Sequence, residues 1–261
     1  MEHTFIKTEN GLMLDADYYS AESRRGVIFL HGACEQRLHE EHFVAAAEMF
    51  AEQGLHALMF DFRGHGKSEG NSLTDFRISL LLYDVAAACR FLRERGVERI
   101  GLAGASVGGA VATLYAGAHA GEIGALGLLN PVLDFHTALF EPVTERTRAF
   151  FTQAHQTLEN EESYTVPWNG FQLGRAVFAE LRAEPERYDP GRALCAYSGP
   201  ICVLHGDQDE DIAHSETERV LAFCGRSDVL ITIPDGKHTF PDPLHRDMVV
   251  KKLADFFLTH L

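Results

Sequence analysis

The sequence predicts an α/β fold: a mainly parallel twisted sheet with helices on both faces and a small inserted cap. Three observations predict it. Short, largely apolar runs at residues 26–30, 55–60, 97–103, 123–129 and 200–204 read as strands covered on both faces. Segments of helical period alternate with them, as βαβ units require. The alternation stops from Pro131 to about Pro190, a stretch too long for a simple loop.

In chain order, residues 3–8 and 12–19 are strand-like and flank Asn10-Gly11, a strong hairpin signal. The run Gly26–Leu30 ends in His31-Gly32-Ala33-Cys34. Residues 40–53 have helical spacing, with Phe43, Ala47 and Phe50 on one stripe. The run Leu55–Phe60 closes on Asp61-Phe62-Arg63-Gly64-His65-Gly66-Lys67-Ser68. A helix is expected from about Thr74 to Arg95, with Leu81, Val85, Ala88 and Leu92 on one face and Gly96 at its end. A strand, a small-residue helix and the strand 123–129 follow. Residues 131–190 carry charged runs, prolines and many aromatics, and read as a cap inserted in a core made of 1–130 and 191–261. After the cap come strands at 200–204 and 230–233. A closing helix spans 244–260, with Met248, Leu253, Phe256 and Phe257 expected on its packing face.

The length of 261 residues suits one large α/β domain with an insertion. Net charge is −15, from 23 basic and 38 acidic residues, which argues against nucleic acid and anionic membrane as partners. Five cysteines are scattered without a C-x-x-C pair. Cys89, Cys202 and Cys224 sit in apolar stretches and read as buried free thiols, not as part of a disulfide framework. With no apolar leader, that suggests a reducing, cytoplasmic setting. The histidines show no metal-ligand spacing, so no metal is expected. The sequence leaves oligomeric state open, a homodimer included.

The stretch Gly101-Leu102-Ala103-Gly104-Ala105-Ser106-Val107-Gly108-Gly109 organises the chain. It places a serine between a strand and a helix in a G-x-S-x-G pattern. A turn this sharp strains the backbone and demands tiny neighbours, and it holds the hydroxyl above the sheet edge at a helix N-terminus. A serine hydroxyl is a poor nucleophile until a base removes its proton. His238, on the loop after the last strand, is the favoured base; His245 falls within or at the cap of the final helix, and His214 on a helix surface. The imidazole needs a carboxylate to orient it. The stretch Gly206-Asp207-Gln208-Asp209-Glu210-Asp211 is crowded with acids, and Asp209 is the choice, with Asp207 and Asp211 read as turn residues and Asp134 as a weaker alternative. Two backbone N–H groups must hold the developing oxyanion. Val107 follows the nucleophile and Ala33 lies on the His31–Cys34 loop, so these two are expected to supply them. His31 reads as a brace for that loop. Cys34, Trp168 and Phe171 are candidate pocket residues.

The order Ser106, Asp209, His238 resembles that of α/β-hydrolase fold serine hydrolases. His31-Gly32, Asp61-x-Arg63-Gly64-x-Gly66-x-Ser68 and Gly206-x-x-Asp209-x-x-Ile212 extend the resemblance over nearly the whole chain. Within that superfamily the N-terminal hairpin, the compact cap and Asn169-Gly170-Phe171-Gln172-Leu173 resemble bacterial cinnamoyl and feruloyl esterases. The resemblance implies a small-molecule ester substrate and an acyl-enzyme on Ser106, with no cofactor. It also implies that Asp61 and Arg63 brace loops near the site. A thioesterase or amidase with the same three residues, or a non-catalytic ligand-binding member of the fold, are the alternatives.

Overall fold

The structure, a computed structural model, describes residues 1–119 and 121–261. It opens with a hairpin of β1 (Glu2–Lys7) and β2 (Met13–Tyr19). Next come β3 (Arg25–Leu30), α1 (Glu41–Glu52) and β4 (His56–Phe60). Two helices follow, α2 (Ser72–Asp75) and α3 (Ile78–Arg93), and then β5 (Arg99–Ala105), α4 (Val107–Ala118) and β6 (Ile123–Leu129). After a π-helical turn at His136–Phe140 come α5 (Glu145–Asn160), the short hairpin β7 (Tyr164–Thr165) and β8 (Gln172–Leu173), and α6 (Ala176–Ala183). The chain then forms α7 (Pro190–Ala196), β9 (Ile201–Gly206), α8 (His214–Phe223), β10 (Leu230–Ile233) and α9 (Pro243–His260).

Eight strands form one sheet in the order β1-β2-β4-β3-β5-β6-β9-β10. β2 is antiparallel to both its neighbours, and every pair from β4 to β10 is parallel. The period of two along β3 sorts its side chains between two apolar layers. Val27 and Phe29 face Phe43 and Phe50 of α1 and Phe257 of α9, while Ile28 and Leu30 join the layer covered by α3 and α4. Helices on both faces explain why these strands read as continuous apolar runs. Glycines in the strands admit the closest helix: a Cβ at Gly101 would sit 2.5 Å, and one at Gly127 2.8 Å, from the Phe257 ring.

Three expectations are corrected. The helix expected over 74–95 is broken at Phe76, whose non-helical backbone (φ −71°, ψ 85°) buries its ring against His65 at 5.0 Å. Met248 is exposed; α9 turns Val249, Val250, Leu253, Ala254 and Phe257 inward instead. Cys224 is not a free thiol: it is bonded to Cys195, 29 residues away, with the Cα atoms 4.9 Å apart. The ends of α7 and α8 lie side by side, a proximity that sequence spacing does not reveal. Cys89 and Cys202 are free and buried. The pairing removes the argument from unpaired thiols to a reducing compartment. Among the described residues no helix is long and apolar enough to cross a membrane.

Candidate active site

The turn between β5 and α4 holds Ser106 at φ 51°, ψ −120°, a left-handed conformation that costs a residue other than glycine roughly 1–3 kcal/mol. Its neighbours explain the sequence around it. A Cβ at Gly104 would lie 2.4 Å from the Gly108 carbonyl oxygen, and one at Gly108 only 2.1 Å from that of Leu30. Both contacts are far inside van der Waals distance, so only glycine lets α4 start against the end of β3. That packing sets the His31–Cys34 loop beside Ser106: a Cβ at Gly32 would stand 3.4 Å from Ser106 Cβ. The backbone N–H groups of Ala33 and Val107 make no turn or loop hydrogen bond among the described residues.

Asp209 and His238 meet, His238 Nδ1 lying 2.8 Å from Asp209 Oδ2. The other carboxylate oxygen, Oδ1, accepts the N–H groups of Asp211 and Ile212 at 2.8 Å each. His205 Nε2 stands 3.2 Å from Oδ2. Burial opposes ionisation of Asp209, but the His238 charge and the hydrogen bonds from His205 and His238 outweigh it and hold the carboxyl well below its usual range. Burial likewise disfavours charge on His238, yet the Asp209 carboxylate, helped by Asp211 and Glu40, raises its pKa from 6.5 to about 9. No hydrogen bond joins Ser106 Oγ to His238 among the described residues. What connects the two sides of the site is Glu40, which accepts the Gly32 N–H at 3.0 Å and bears electrostatically on His238.

The loop carrying His238 is held from three directions. Gly236 packs on Gly206, with a Cβ at Gly206 only 2.1 Å from the Gly236 carbonyl oxygen. Asp207 accepts the Asp235 N–H at 2.8 Å, so Asp207 acts as a turn brace. Asn130, at φ 41° just past β6, accepts the Gly206 N–H at 2.9 Å and donates to the carbonyls of Lys237 and His238. Asp134 is turned away, capping the π-helical turn and pairing with Arg219 at 2.9 Å. Asp211 offers its backbone carbonyl to Thr144 and Thr147 at the start of α5. His245 lies within α9 and His214 opens α8.

His31 is buried, and burial lowers its pKa to about 4. As neutral imidazole it accepts the Phe62 N–H at 3.0 Å through Nε2, and its Nδ1 contacts the Gly32 carbonyl at 2.8 Å. Asp61 is the hub of a second brace. It accepts from the Arg37 backbone N–H at 2.8 Å and from the Arg37 guanidinium at 2.6 Å, and Arg37 also reaches Asp15 and Asp17. Arg63 is bound by Asp84 through the shortest of its contacts, 2.6 Å. Both motif residues thus brace loops. Cys34 is buried. Asn169 donates to its carbonyl at 2.6 Å, and Trp168, 56% exposed, donates to Glu35 at 2.9 Å. Phe171 stacks on His65 at 4.6 Å. Sequence reading did not single out Glu40, Asn130, Arg37 or His205. Their signal is polar character at a strand end or on a helix-bound loop, which is common in any sequence.

Comparison with known proteins agrees with this architecture. The family model described as "Serine aminopeptidase, S33" matches residues 21–170, more than half of the chain. The chain is 27% identical over 216 residues to the protein YfhR of Escherichia coli K12, covering 80% of this chain, and it spans 63% of the length of that relative. It is 24% identical over 285 residues to a monoacylglycerol lipase of Mycolicibacterium smegmatis, covering 100% of this chain and 98% of the lipase. Among solved structures it is similar to Est1E of Butyrivibrio proteoclasticus in complex with ferulic acid, with a TM-score of 0.77, 24% identity and 98% of each chain covered. The esterase Pf2001 of Pyrococcus furiosus superposes with a TM-score of 0.71, 19% identity and 99% and 90% of the two chains covered. The sheet order, the strained serine turn and the family match together settle the assignment: this chain belongs to the serine aminopeptidase S33 family of α/β-hydrolase fold hydrolases.

Proposed function

We propose that the protein is a serine esterase acting on carboxylic esters of small to medium acyl groups. The observation that carries the proposal is the 2.8 Å contact between His238 and the Asp209 carboxylate, at the same sheet end as the strained Ser106 turn. His238 Nε2 takes the Ser106 proton as Oγ bonds to the ester carbonyl carbon. The N–H groups of Ala33 and Val107 receive the negative charge that develops on the carbonyl oxygen. The carbon–oxygen bond to the alcohol then breaks, and the proton on His238 leaves with the alcohol. Water, deprotonated by His238, attacks the acyl-enzyme and returns Ser106 with release of the carboxylic acid. Cys34, Trp168 and Phe171 border the acyl group in this reading, with 131–190 serving as the cap. The likeness to a ferulate-bound structure makes aryl-acrylate esters a first substrate class to try.

The family description also favours a second reading, in which the same residues cleave an amide. Ratios of kcat/KM on matched ester, thioester and aminoacyl amide substrates separate the two. The central test is Ser106→Ala. It should lower hydrolysis of short p-nitrophenyl esters by at least about 10³-fold, with circular dichroism and Tm unchanged. Turnover undiminished in that variant refutes the assignment.

A further inference from the structure

Away from Ser106 the structure contains a cleft of about 710 Å³ between the cap and the outer helices. None of Ser106, Asp209 or His238 lines it. Its walls come from the π-helical turn, the end of α6, the start of α7 and one face of α8. α5 borders it through His155. Phe150 on that helix packs on Trp168, which hydrogen-bonds to Glu35 beyond Cys34, while His155 further along faces Phe140 and lines the cleft.

Phe140, Leu181, Tyr188, Val220 and Phe223 form the apolar part of the wall, beside the carboxylates of Asp134, Glu141 and Asp189, of which Glu141 meets His136 at 3.4 Å. Phe223 is 81% exposed at the rim, an aromatic ring with nothing packed over it. The polar groups are unevenly matched. Arg219 is paired with Asp134 at 2.9 Å and Glu216 at 2.8 Å, and Arg192 with Asp189 at 3.3 Å. Arg182 has no acidic partner among the described residues; its guanidinium lies over the Phe140 ring, 4.9 Å from the centroid. The volume falls within the roughly 300–1,000 Å³ typical of small-ligand sites, which join apolar walls to a few fixed polar groups. In a chain of net charge −15, a spare guanidinium held against an aromatic wall is placed to receive an anion.

We propose that this cleft is a second ligand site, for a monoanionic carboxylate with an apolar body. The carboxylate meets Arg182 and the body lies along Phe140, Leu181 and Phe223. The proposal does not depend on the esterase reading, because it involves no residue of the serine site.

The test is calorimetric titration of the full chain with octanoate, octanol and octylammonium. Octanoate should bind saturably at one site, and more tightly than either analogue. Arg182→Glu should weaken octanoate by roughly tenfold or more, and Phe223→Ser should weaken it too, both variants keeping the wild-type Tm and ester turnover. Binding should persist after Ser106 is blocked with a fluorophosphonate. Loss of octanoate binding on that block would put the carboxylate at the serine and overturn the proposal. Octanol binding as tightly as octanoate, an Arg182→Glu variant that binds normally, or no saturable binding would overturn it as well.

Discussion

The charge of His238 offers the sharpest test of the site. The rise from 6.5 to about 9 corresponds to roughly 3 kcal/mol in favour of the imidazolium, at 1.36 kcal/mol per unit. As the proposed general base, His238 works only in its neutral form, so on that proposal about one molecule in a hundred is poised at pH 7 to accept the Ser106 proton. For the free enzyme, kcat/KM on a p-nitrophenyl ester should therefore climb close to tenfold per pH unit and level off near pH 9. Asp209→Asn removes the charge that most raises this pKa and leaves burial, which acts in the opposite direction, as the largest influence. Asp211 and Glu40 remain, so the acid limb should move down by roughly two units, not vanish. The plateau should fall by about 10²–10⁴-fold, because the amide no longer holds one imidazole tautomer. The assay is a pH profile of kcat/KM for both proteins from about pH 5 to pH 10. An unmoved acid limb in the variant, or a wild-type limb already flat at pH 7, would refute the electrostatic reasoning. The same shift bears on stability. Because the folded pKa is raised, the stabilisation is complete below the unfolded value near 6.5 and is lost as pH rises through about 9. Wild-type Tm should thus decline over that window more than the Tm of His238→Gln.

Gly108→Ala pushes a methyl group to within 2.1 Å of the Leu30 carbonyl oxygen, so α4 must retreat from the Ala33 loop; ester turnover should drop at least about tenfold, with a lowered Tm. Asp84→Ala strands the buried guanidinium of Arg63 and should cost about 3–5 kcal/mol in urea unfolding, whereas Arg63→Met with Asp84→Leu should recover most of it. Cys195→Ser opens a loop spanning 29 residues and should lose roughly 3–4 kcal/mol by the chain-entropy estimate. Dithiothreitol should lower wild-type Tm and leave that variant unchanged. Asn130→Asp keeps the shape but replaces the donor to the His238 carbonyl with an acceptor; kcat should fall more than KM changes, with the ester assay as readout.

The frame was legible because its rules are local. A strand covered on both faces must be apolar at every position, so Gly26–Leu30 and Ile123–Leu129 announce themselves. The serine turn was legible for a steric reason: the 2.1 Å and 2.4 Å approaches around Gly108 and Gly104 leave no room for any other residue, so backbone strain is written in the sequence as glycine. Where tertiary packing overrode local preference, the reading failed. Phe76 leaves its helix to bury against His65 although nothing in its neighbours breaks a helix. Cys195 and Cys224 pair because two helix ends come together across a strand.

Asp209 and His238 could be nominated from their places after successive strands, but the groups that fix them could not. Asn130 joins the end of β6 to the loops carrying both residues, and its left-handed backbone is one that asparagine tolerates better than most side chains. Glu40 lies at the entrance to α1 yet hydrogen-bonds to the loop after β3. Each works by spanning elements that only the folded sheet brings together, so each is an ordinary polar residue until the partners are in place. A reactive side chain can be found from its strand end; its alignment depends on hydrogen bonds such as those of Asn130 and Glu40. Substitution of Asn130 should therefore affect turnover through the placing of the Asp209 and His238 loops, whereas substitution of Glu40 should disturb the Gly32 loop and also lower the His238 pKa.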